Sequence, residues 1–422
     1  MPEITYTQTE AVDKGSLKVE VLASRTKTPI EGAKISISYS GKPDSAIEEV
    51  SSDDSGMSEK LILDAPPLEY SMEPSENQPF SQYTVQVTAP GYHPVTVSGV
   101  QIFSTQLALQ QVQMSMEKDP QASLDQISIP VNTLFGNFPP KIAEPEIKPV
   151  TESGEIVLNK VVIPEYIVVH DGPVGDTSAQ DYYVRYKDYI KNVASSEIYA
   201  TWPEDTIRAN VLAIMSFTLN RVYTEWYRNK GYDFTITSST AYDHKWIHGR
   251  NIFESIDRIV DELFENYLSR PNVRQPILTQ YCDGRQVQCR DRGWMTQWGS
   301  KALGDQGYSA IEILRSFYGN DMYINVAEAV SGIPASWPGY DLTIGVTGEK
   351  VQQIQEQLNA IAKAYPAIPS VIVDGIYGPA TAASVKKFQN IFGLPASGVV
   401  DYPTWYKIQD IYVAVTRIAE LQ

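Results

Sequence analysis

The sequence predicts a multidomain α+β protein with an N-terminal β-sandwich, a central mixed α/β domain and a C-terminal three-helix domain. Three observations support this prediction. A chain of 422 residues is too long for one hydrophobic core. Apolar residues alternate at every second position up to about residue 116. They recur at helical spacing beyond residue 203, and again beyond residue 347.

The composition and net charge exclude some classes of binding partner for this protein. Hydrophobic residues make up 42% and charged residues 20% of the chain, and no apolar run is long enough to span a membrane. The formal net charge of −17 argues against nucleic acid and anionic membranes as partners. The N-terminal stretch lacks the basic and apolar segments of a secretory signal, so we expect synthesis without a signal peptide. The chain has two cysteines, Cys282 and Cys289, and the sequence leaves open whether they form a disulfide.

The first 116 residues carry the signals of a β-sandwich. Alternating apolar residues such as Leu17, Val19 and Val21 form short runs that turn residues separate. The turns that resemble those of transthyretin-like and carboxypeptidase-regulatory-like modules are 29–33, 54–56 and 89–92. The resemblance implies a transthyretin-like β-sandwich over residues 1–116, for which we expect a regulatory or pro-region role.

Residues 117–160 show no sustained periodicity and are rich in proline and glutamate, as in the stretch NFPPKIAEPEIKPV. Such a composition is typical of an exposed linker, and proteases reach exposed linkers easily. We therefore expect a linker with a processing site between the β-sandwich and the domain that follows.

Two helices are expected in the central domain. The first has Pro203 in its first turn and continues with apolar residues at helical spacing until Gly231. The second is expected to begin at Asn251, as its N-cap, and to end before Pro271.

Three short helices are expected between about residues 347 and 412, the last of them capped by Asp401. The DGIYG stretch at 374–378 and the later pair 388–389 resemble the type 1 peptidoglycan-binding domain. The resemblance implies that residues 340–422 form a three-helix peptidoglycan-binding domain.

Glu197 is the candidate for acid–base chemistry. It is flanked by small and apolar residues and lies shortly before Trp202 and Pro203, where a buried helix is expected. A carboxyl group in apolar surroundings has a raised pKa and can act as a general acid near neutral pH. Taken alone, the same pattern also fits a carboxylate that hydrogen-bonds near the start of the following helix.

A family resemblance strengthens the catalytic interpretation. The segments 193–203 (VASSEIYATWP), 209–221 and 295–300 (MTQWGS) resemble the stage II sporulation protein D family, SpoIID/LytB. In that family the glutamate of the first segment is the catalytic acid, so the resemblance implies this role for Glu197. We therefore expect a SpoIID-like catalytic domain over residues 161–335.

The resemblance also implies a set of substrate-binding residues, which we expect to orient sugar hydroxyls or to stack on a pyranose ring. They are Tyr281, Asp283, Gly284, Gln297, Trp298 and Ser300. A core position is an equally good interpretation of Trp298.

No metal or other cofactor is expected. Some SpoIID relatives bind zinc through Cys and His in the loop that corresponds to 237–244, but this stretch contains no cysteine. The pair His244 and His248, taken with the two cysteines, has no recognised zinc-site spacing.

The order of a β-module, a SpoIID-like domain and a wall-binding domain resembles that of the clostridial spore cortex-lytic enzymes. The resemblance implies a lytic transglycosylase, a carbon–oxygen lyase that cleaves cortex peptidoglycan between N-acetylmuramic acid and N-acetylglucosamine and leaves 1,6-anhydromuramic ends. It implies a zymogen activated by a germination protease, with glycan strands of the cortex as the substrate. It also implies a location in the cortex and coat region of the spore, after synthesis in the mother-cell cytoplasm.

Three alternatives stay open. An N-acetylmuramoyl amidase would normally require a zinc site. An ordinary glycoside hydrolase would require two carboxylates, for which Asp283 is the second candidate. A non-catalytic, structural wall-binding protein would require no chemistry at Glu197.

Overall fold

A computed structural model describes residues 13–42, 45–117, 126–148, 160–289, 293–327, 329–330, 338 and 340–416. The protein is a mixed α+β, multidomain chain with a helical C-terminal region. Across these residues, no helix is both long and apolar enough to cross a membrane.

Two β-sheets form the N-terminal part. Its elements are β1 (Asp13–Ala23), β2 (Lys34–Tyr39), β3 (Ala46–Ser51), β4 (Leu61–Ala65), α1 (Glu69–Met72), β5 (Ser81–Thr88), β6 (Val95–Ile102), β7 (Leu107–Met114) and β8 (Gln126–Ser128). One sheet has the order β3-β2-β5-β6-β8, and the other contains β7-β1-β4. The alternating side chains of β1, Leu17, Val19 and Val21, are fully buried between them, as the period-two pattern predicts.

The central part surrounds a buried helix. Its strands are β9 (Val162–Ile163), β10 (Tyr166–His170), β11 (Asp181–Arg185), β12 (Ile236–Thr237), β13 (Ile252–Phe253), β14 (Asn266–Ser269), β15 (Tyr281–Cys282), β16 (Met295–Thr296), β17 (Tyr323–Val326) and β18 (Ala329–Val330). Its helices are α2 (Tyr186–Glu197), α3 (Glu204–Tyr223), α4 (Glu254–Leu263), α5 (Gln297–Asp305) and α6 (Ala310–Tyr318). Helix α3 follows Pro203 as predicted, and it packs against the other four helices.

The prediction that Asn251 caps the second central helix is wrong. The side chain of Asn251 instead bonds the backbone of Gln101 in β6, and the residues after it form β13, which pairs with β7. Helix α4 therefore begins only at Glu254, and Tyr267 lies in strand β14. The segment makes its hydrogen bonds to the N-terminal sheet, a long-range pairing that local spacing does not predict.

The expectation of an exposed linker is wrong for residues 126–148. Strand β8 pairs with β6, and Ile129 and Leu134 are buried in the common core. Further along, Glu144 forms an ion pair with the buried Arg221 of α3. A composition rich in proline and glutamate does not reveal these long-range partners. Residues 118–125 and 149–159 of the predicted linker lie outside the described residues, and the predicted processing site remains a prediction.

The C-terminal part contains α7 (Glu349–Ala362), α8 (Pro379–Ile391) and α9 (Tyr402–Thr416), as the apolar spacing predicts. Asp401 accepts a hydrogen bond from the backbone amide of Thr404, which confirms it as the predicted cap of α9. The buried amide of Gln355 bonds the backbone of Asp374 and Gly375, and it thereby holds the turn of the DGIYG stretch.

A buried cluster of ion pairs joins the C-terminal domain to the central domain. On helix α2, Lys191 lies 2.7 Å from Asp257 and 2.8 Å from Asp261, both on α4. Lys187, also on α2, lies 3.2 Å from Asp261 and 2.9 Å from Asp410 on α9. Asp261 is fully buried, so these charges compensate one another without water.

Burial alone would raise the pKa of Asp261, but the lysine ammonium groups of α2 and α9 lower it below its usual range. The carboxylate therefore stays ionised, and its pairs hold α2 against α4 and the C-terminal domain.

Replacing Asp261 with asparagine removes the buried negative charge that Lys187 and Lys191 share. We expect Asp261→Asn to lower the free energy of unfolding by about 3–5 kcal/mol, measured by urea denaturation. The matched control is Glu49→Gln, which breaks an exposed pair with Lys34 and should cost no more than about 1 kcal/mol. Equal and small losses in the two variants would show that the cluster does not hold these elements together.

Candidate active site

Glu197 is the last residue of α2, and the chain leaves the helix at Ile198 in an extended conformation. The side chain is only 3% exposed. Two neighbours fix the backbone at this point: the Gln297 side chain donates to the Glu197 carbonyl at 3.1 Å, and Thr133 donates its amide hydrogen to the Ser196 carbonyl at 3.0 Å. The carboxyl group is thus placed by the end of a buried helix.

Both carboxyl oxygens of Glu197 accept hydrogen bonds. The hydroxyl of Tyr281 donates to Oε2, and the backbone amide of Lys245 donates to Oε1 at 2.6 Å. Such bonds favour the ionised form and fix the orientation of the group. The carboxyl group therefore has a defined direction and an environment almost without water.

Burial raises the pKa of Glu197, because removal from water penalises the charged form. The ammonium group of Lys141, the Tyr281 hydroxyl and the Lys245 amide each lower this pKa, but burial has the largest effect and the net direction is upward. Glu197 therefore keeps its proton at a pH where an ordinary glutamate has lost it. This is the property that a general acid requires.

Aromatic and basic side chains surround Tyr281. Its ring stacks on that of His244, with 5.9 Å between ring centres, and the Lys141 ammonium lies 4.8 Å from its ring centre. His244 in turn is hydrogen-bonded to the Tyr189 hydroxyl at 3.0 Å. Burial lowers the pKa of His244 well below its usual value, so the imidazole is neutral here.

The loop that carries Lys245 is held by a buried carboxylate. Asp243 accepts from the guanidinium of Arg221 at 2.7 Å and from the Tyr227 hydroxyl at 2.7 Å. It also accepts from the backbone amide of Thr237 at 2.9 Å. These bonds connect the loop to α3, and they fix the Lys245 amide where it binds Glu197.

Asp283 and Gly284 shape a turn beside this site. The carboxylate of Asp283 accepts from the backbone amides of Gln286 at 2.8 Å and Val287 at 2.7 Å. Gly284 has a φ of +80°, and a Cβ there would lie 2.6 Å from the Cβ of Thr296. A disulfide between Cys282 and Cys289 closes the same loop, which answers the question that the sequence left open.

The three predicted residues near the start of α5 differ in their surroundings. Gln297 bonds the Glu197 backbone, and Ser300 is fully buried between Gln297 and the amide of Asn210. Its hydroxyl is engaged inside the core by these two residues, and its role in binding sugar stays a prediction. Trp298 is partly exposed, and its ring centre lies 5.0 Å from that of Trp202.

The structure brings two basic residues to Glu197 that sequence analysis missed, Lys141 and Lys245. Lys141 is distant in sequence from Glu197 and lies in the predicted linker. Lys245 follows His244 in a loop, and it acts partly through its backbone amide, which has no sequence signature. Neither contact follows from local periodicity.

The side chains considered as zinc ligands are not assembled into one site. Cys282 and Cys289 are joined to each other, and His244 is buried against Tyr189, whereas His248 stacks on Tyr182. Throughout the part of the chain that the structure describes, no group of three or more His, Cys, Asp or Glu residues is arranged to hold a metal ion.

Comparison with known proteins identifies one part of the chain. Residues 347–408 match the family model described as "Putative peptidoglycan binding domain". The chain therefore carries a peptidoglycan-binding domain at its C-terminus. The zinc D-Ala-D-Ala carboxypeptidase of Streptomyces albus G is 36% identical over 77 residues, which are 18% of this chain and 28% of that protein.

Solved structures resemble this chain only weakly. The Bacillus anthracis TIE protein has 17% identity over 25% of this chain and 17% of that chain, with a TM-score of 0.17. The 5-hydroxyisourate hydrolase of Klebsiella pneumoniae has 14% identity over 24% of this chain and 86% of that chain, with a TM-score of 0.16. TM-scores of this size assign neither fold nor function.

Proposed function

We propose that the protein is a peptidoglycan lytic transglycosylase in which Glu197 is the catalytic acid and base. The observation that carries this proposal is the buried carboxyl group of Glu197, which has a raised pKa and a fixed orientation, in a chain that also carries a peptidoglycan-binding domain. The bond cleaved lies between N-acetylmuramic acid and N-acetylglucosamine. The resemblance of the segments around Glu197 and Gln297 to the SpoIID family supports the same assignment.

In the first step, the carboxyl group of Glu197 gives its proton to the glycosidic oxygen, and the bond from this oxygen to C1 of the muramic sugar breaks. The departing sugar keeps the proton and the bonding electron pair as a hydroxyl group, and C1 of the muramic sugar is left with oxocarbenium character. The resulting carboxylate is stabilised by the Tyr281 hydroxyl and the Lys245 amide, which both donate to it. These donors favour the charge that forms during the step.

In the second step, the carboxylate of Glu197 takes the proton from the C6 hydroxyl of the same muramic sugar. The C6 oxygen then bonds to C1, which closes the 1,6-anhydro ring and restores the protonated acid. One carboxyl group is sufficient for both proton transfers. Gln297 holds the backbone of Glu197, and Trp298 is the candidate for stacking on a sugar ring.

The biological setting is proposed from the domain order. The substrate is spore-cortex peptidoglycan, degraded during germination, and the protein is made as a zymogen that a germination protease cuts in the 117–160 region. The site of action is the cortex and coat region. The domains proposed are a transthyretin-like module over 1–116, a SpoIID-like domain over 161–335 and the binding domain over 340–422.

The alternative functions are less compatible with the described residues. A glycoside hydrolase needs a second carboxylate, for which Asp283 is the candidate; two backbone amides of its own loop donate to it, as expected of a carboxylate that shapes a turn. An amidase would need a zinc site, and the two cysteines that could have contributed ligands are joined in a disulfide.

The first test is Glu197→Gln. The change keeps the shape of the side chain but removes its ability to donate and accept a proton, so we expect a folded protein with a loss of at least about 100-fold in glycan cleavage. Cleavage is followed by muropeptide analysis, and folding by circular dichroism. A Glu197→Gln protein with wild-type activity would refute the proposal.

The second test identifies the nucleophile. Digestion in ¹⁸O-labelled water should give unlabelled 1,6-anhydro ends, because the attacking oxygen belongs to the substrate. The variant Asp283→Asn should remain active, since its side-chain oxygen still accepts from one of the two loop amides. Labelled reducing ends together with an inactive Asp283→Asn variant would identify a two-carboxylate hydrolase instead.

The third test concerns binding. The C-terminal domain has its own buried core around Trp405 and Phe388, so residues 340–422 expressed alone should fold and sediment with purified peptidoglycan. The control is the same fragment incubated with cellulose, which should leave it in solution. A folded fragment that stays in the supernatant with peptidoglycan would contradict the binding role.

A further inference from the structure

Lys141 lies in the segment that was expected to be an exposed linker, yet its side chain is only 6% exposed. Its ammonium group donates to the backbone carbonyl of Asp243. The Nζ atom lies 4.8 Å from the ring centre of Tyr281 and 5.5 Å from that of Phe217. Because Tyr281 donates its hydroxyl hydrogen to Glu197, the lysine charge is held against the ring that binds the candidate acid.

The groups that face Glu197 come from four parts of the fold. Lys141 belongs to the segment 126–148, Lys245 to the loop before β13, and Tyr281 to β15. Tyr189 lies on α2 itself, and burial, together with nearby negative charge, raises its pKa well above the usual value, so it stays neutral. After burial, which raises the pKa of Glu197, Lys141 has the largest effect, and it lowers this pKa.

The surroundings of Lys141 partly compensate for the burial of its charge. Burial lowers its pKa, while the carboxylates of Glu197, Asp243 and Glu144 raise it again. Arg221 opposes them, but it is paired with Asp243 and Glu144 itself. The lysine is therefore surrounded by acidic groups, of which Glu197 has the largest effect on its charge.

We propose that Lys141 is a positioning residue for the acid step: its ammonium group, held by the segment 126–148 against the ring of Tyr281, favours the carboxylate form of Glu197 and thereby slows proton donation. This inference rests on the proposed function. An ionised carboxylate can accept a proton from a hydroxyl group, but it cannot protonate the glycosidic oxygen, so the first step slows.

Lys141 lies in a segment that proteolysis could separate from the central domain, which would end its effect on Glu197. The segment 126–148 precedes the central domain and is held to it by hydrogen bonds and ion pairs. Its strand β8 pairs with β6 of the N-terminal part. When the segment leaves, its positive charge leaves with it, while Lys245 and Tyr281 remain at Glu197. Loss of the segment therefore removes the positive charge that restrains proton donation.

The test uses full-length, uncleaved proteins, in which Lys141 is retained, and compares the pH dependence of their residual cleavage of soluble peptidoglycan fragments before processing. Cleavage requires protonated Glu197, so the rate falls as pH rises through the pKa of this group. Lys141→Met removes the charge and raises that pKa, and the alkaline limb should move up by on the order of one pH unit. On this limb the rate should rise about tenfold.

Two further variants control for packing. Lys148→Met removes another buried lysine of the same segment, one that pairs with Glu144, and it should leave the profile at its wild-type position. Lys141→Gln keeps a donor for the Asp243 carbonyl but lacks the charge, and it should shift the profile as Lys141→Met does. Thermal unfolding of each variant establishes that the protein is folded.

An unchanged profile in folded Lys141→Met and Lys141→Gln, or an equal shift in Lys148→Met, overturns the inference. The double variant Glu197→Gln/Lys141→Met separates this failure from failure of the proposed function. If the double variant keeps the rate of Lys141→Met, then Glu197 is not the acid. If the double variant is inactive and the single lysine variants show no shift, then only the role of Lys141 is wrong.

Discussion

A carboxyl group that is removed from water has to find its hydrogen bonds within the protein, and at Glu197 they come from distant parts of the chain. Tyr281 is contributed by a short strand and Lys245 by a loop, while a lysine from the region ahead of the central domain adds a positive charge. The geometry of the site therefore depends on the elements that hold these partners of Glu197 in place.

Two sets of buried ion pairs hold the elements that surround Glu197. On one side, the buried guanidinium of Arg221 holds Asp243, and thus the loop that donates to the carboxyl group. On the other side, helix α2 carries Glu197 at its C-terminal end and two lysines nearer its N-terminal end. These lysines pair with aspartates of α4 and of the peptidoglycan-binding domain. One helix therefore connects the candidate acid with the wall-binding part of the chain.

The sequence was most informative where interactions are local. Apolar spacing predicts the helices after Pro203 and in the C-terminal domain, and Asp401 is confirmed as a cap because capping involves neighbouring residues. Interactions between distant segments were missed. Asparagine often caps helices, but the side-chain amide of Asn251 hydrogen-bonds the backbone of β6 instead. Glutamate and proline in the expected linker gave no sign that Glu144 pairs with a buried arginine.

In the candidate site, too, the sequence predicts local features but not contacts between distant segments. Glu197 could be selected from its apolar flanks and from a family resemblance, but its raised pKa depends on burial by segments far away in sequence. Ser300 belongs to a segment that resembles the family, yet it lies inside the core. A sequence motif does not show which of its residues face solvent. Lys141 has no recognisable pattern around it at all.

The most direct measurement is an NMR titration of the Glu197 side-chain carboxyl in ¹³C-labelled full-length protein, with the signal assigned by its absence in Glu197→Gln. The account predicts a midpoint above the ordinary glutamate value of 4.5, because burial outweighs the nearby donors and the lysine charge. A midpoint at or below 4.5 would mean that the group is an ordinary carboxylate at neutral pH, and it would contradict the assignment of Glu197 as the acid.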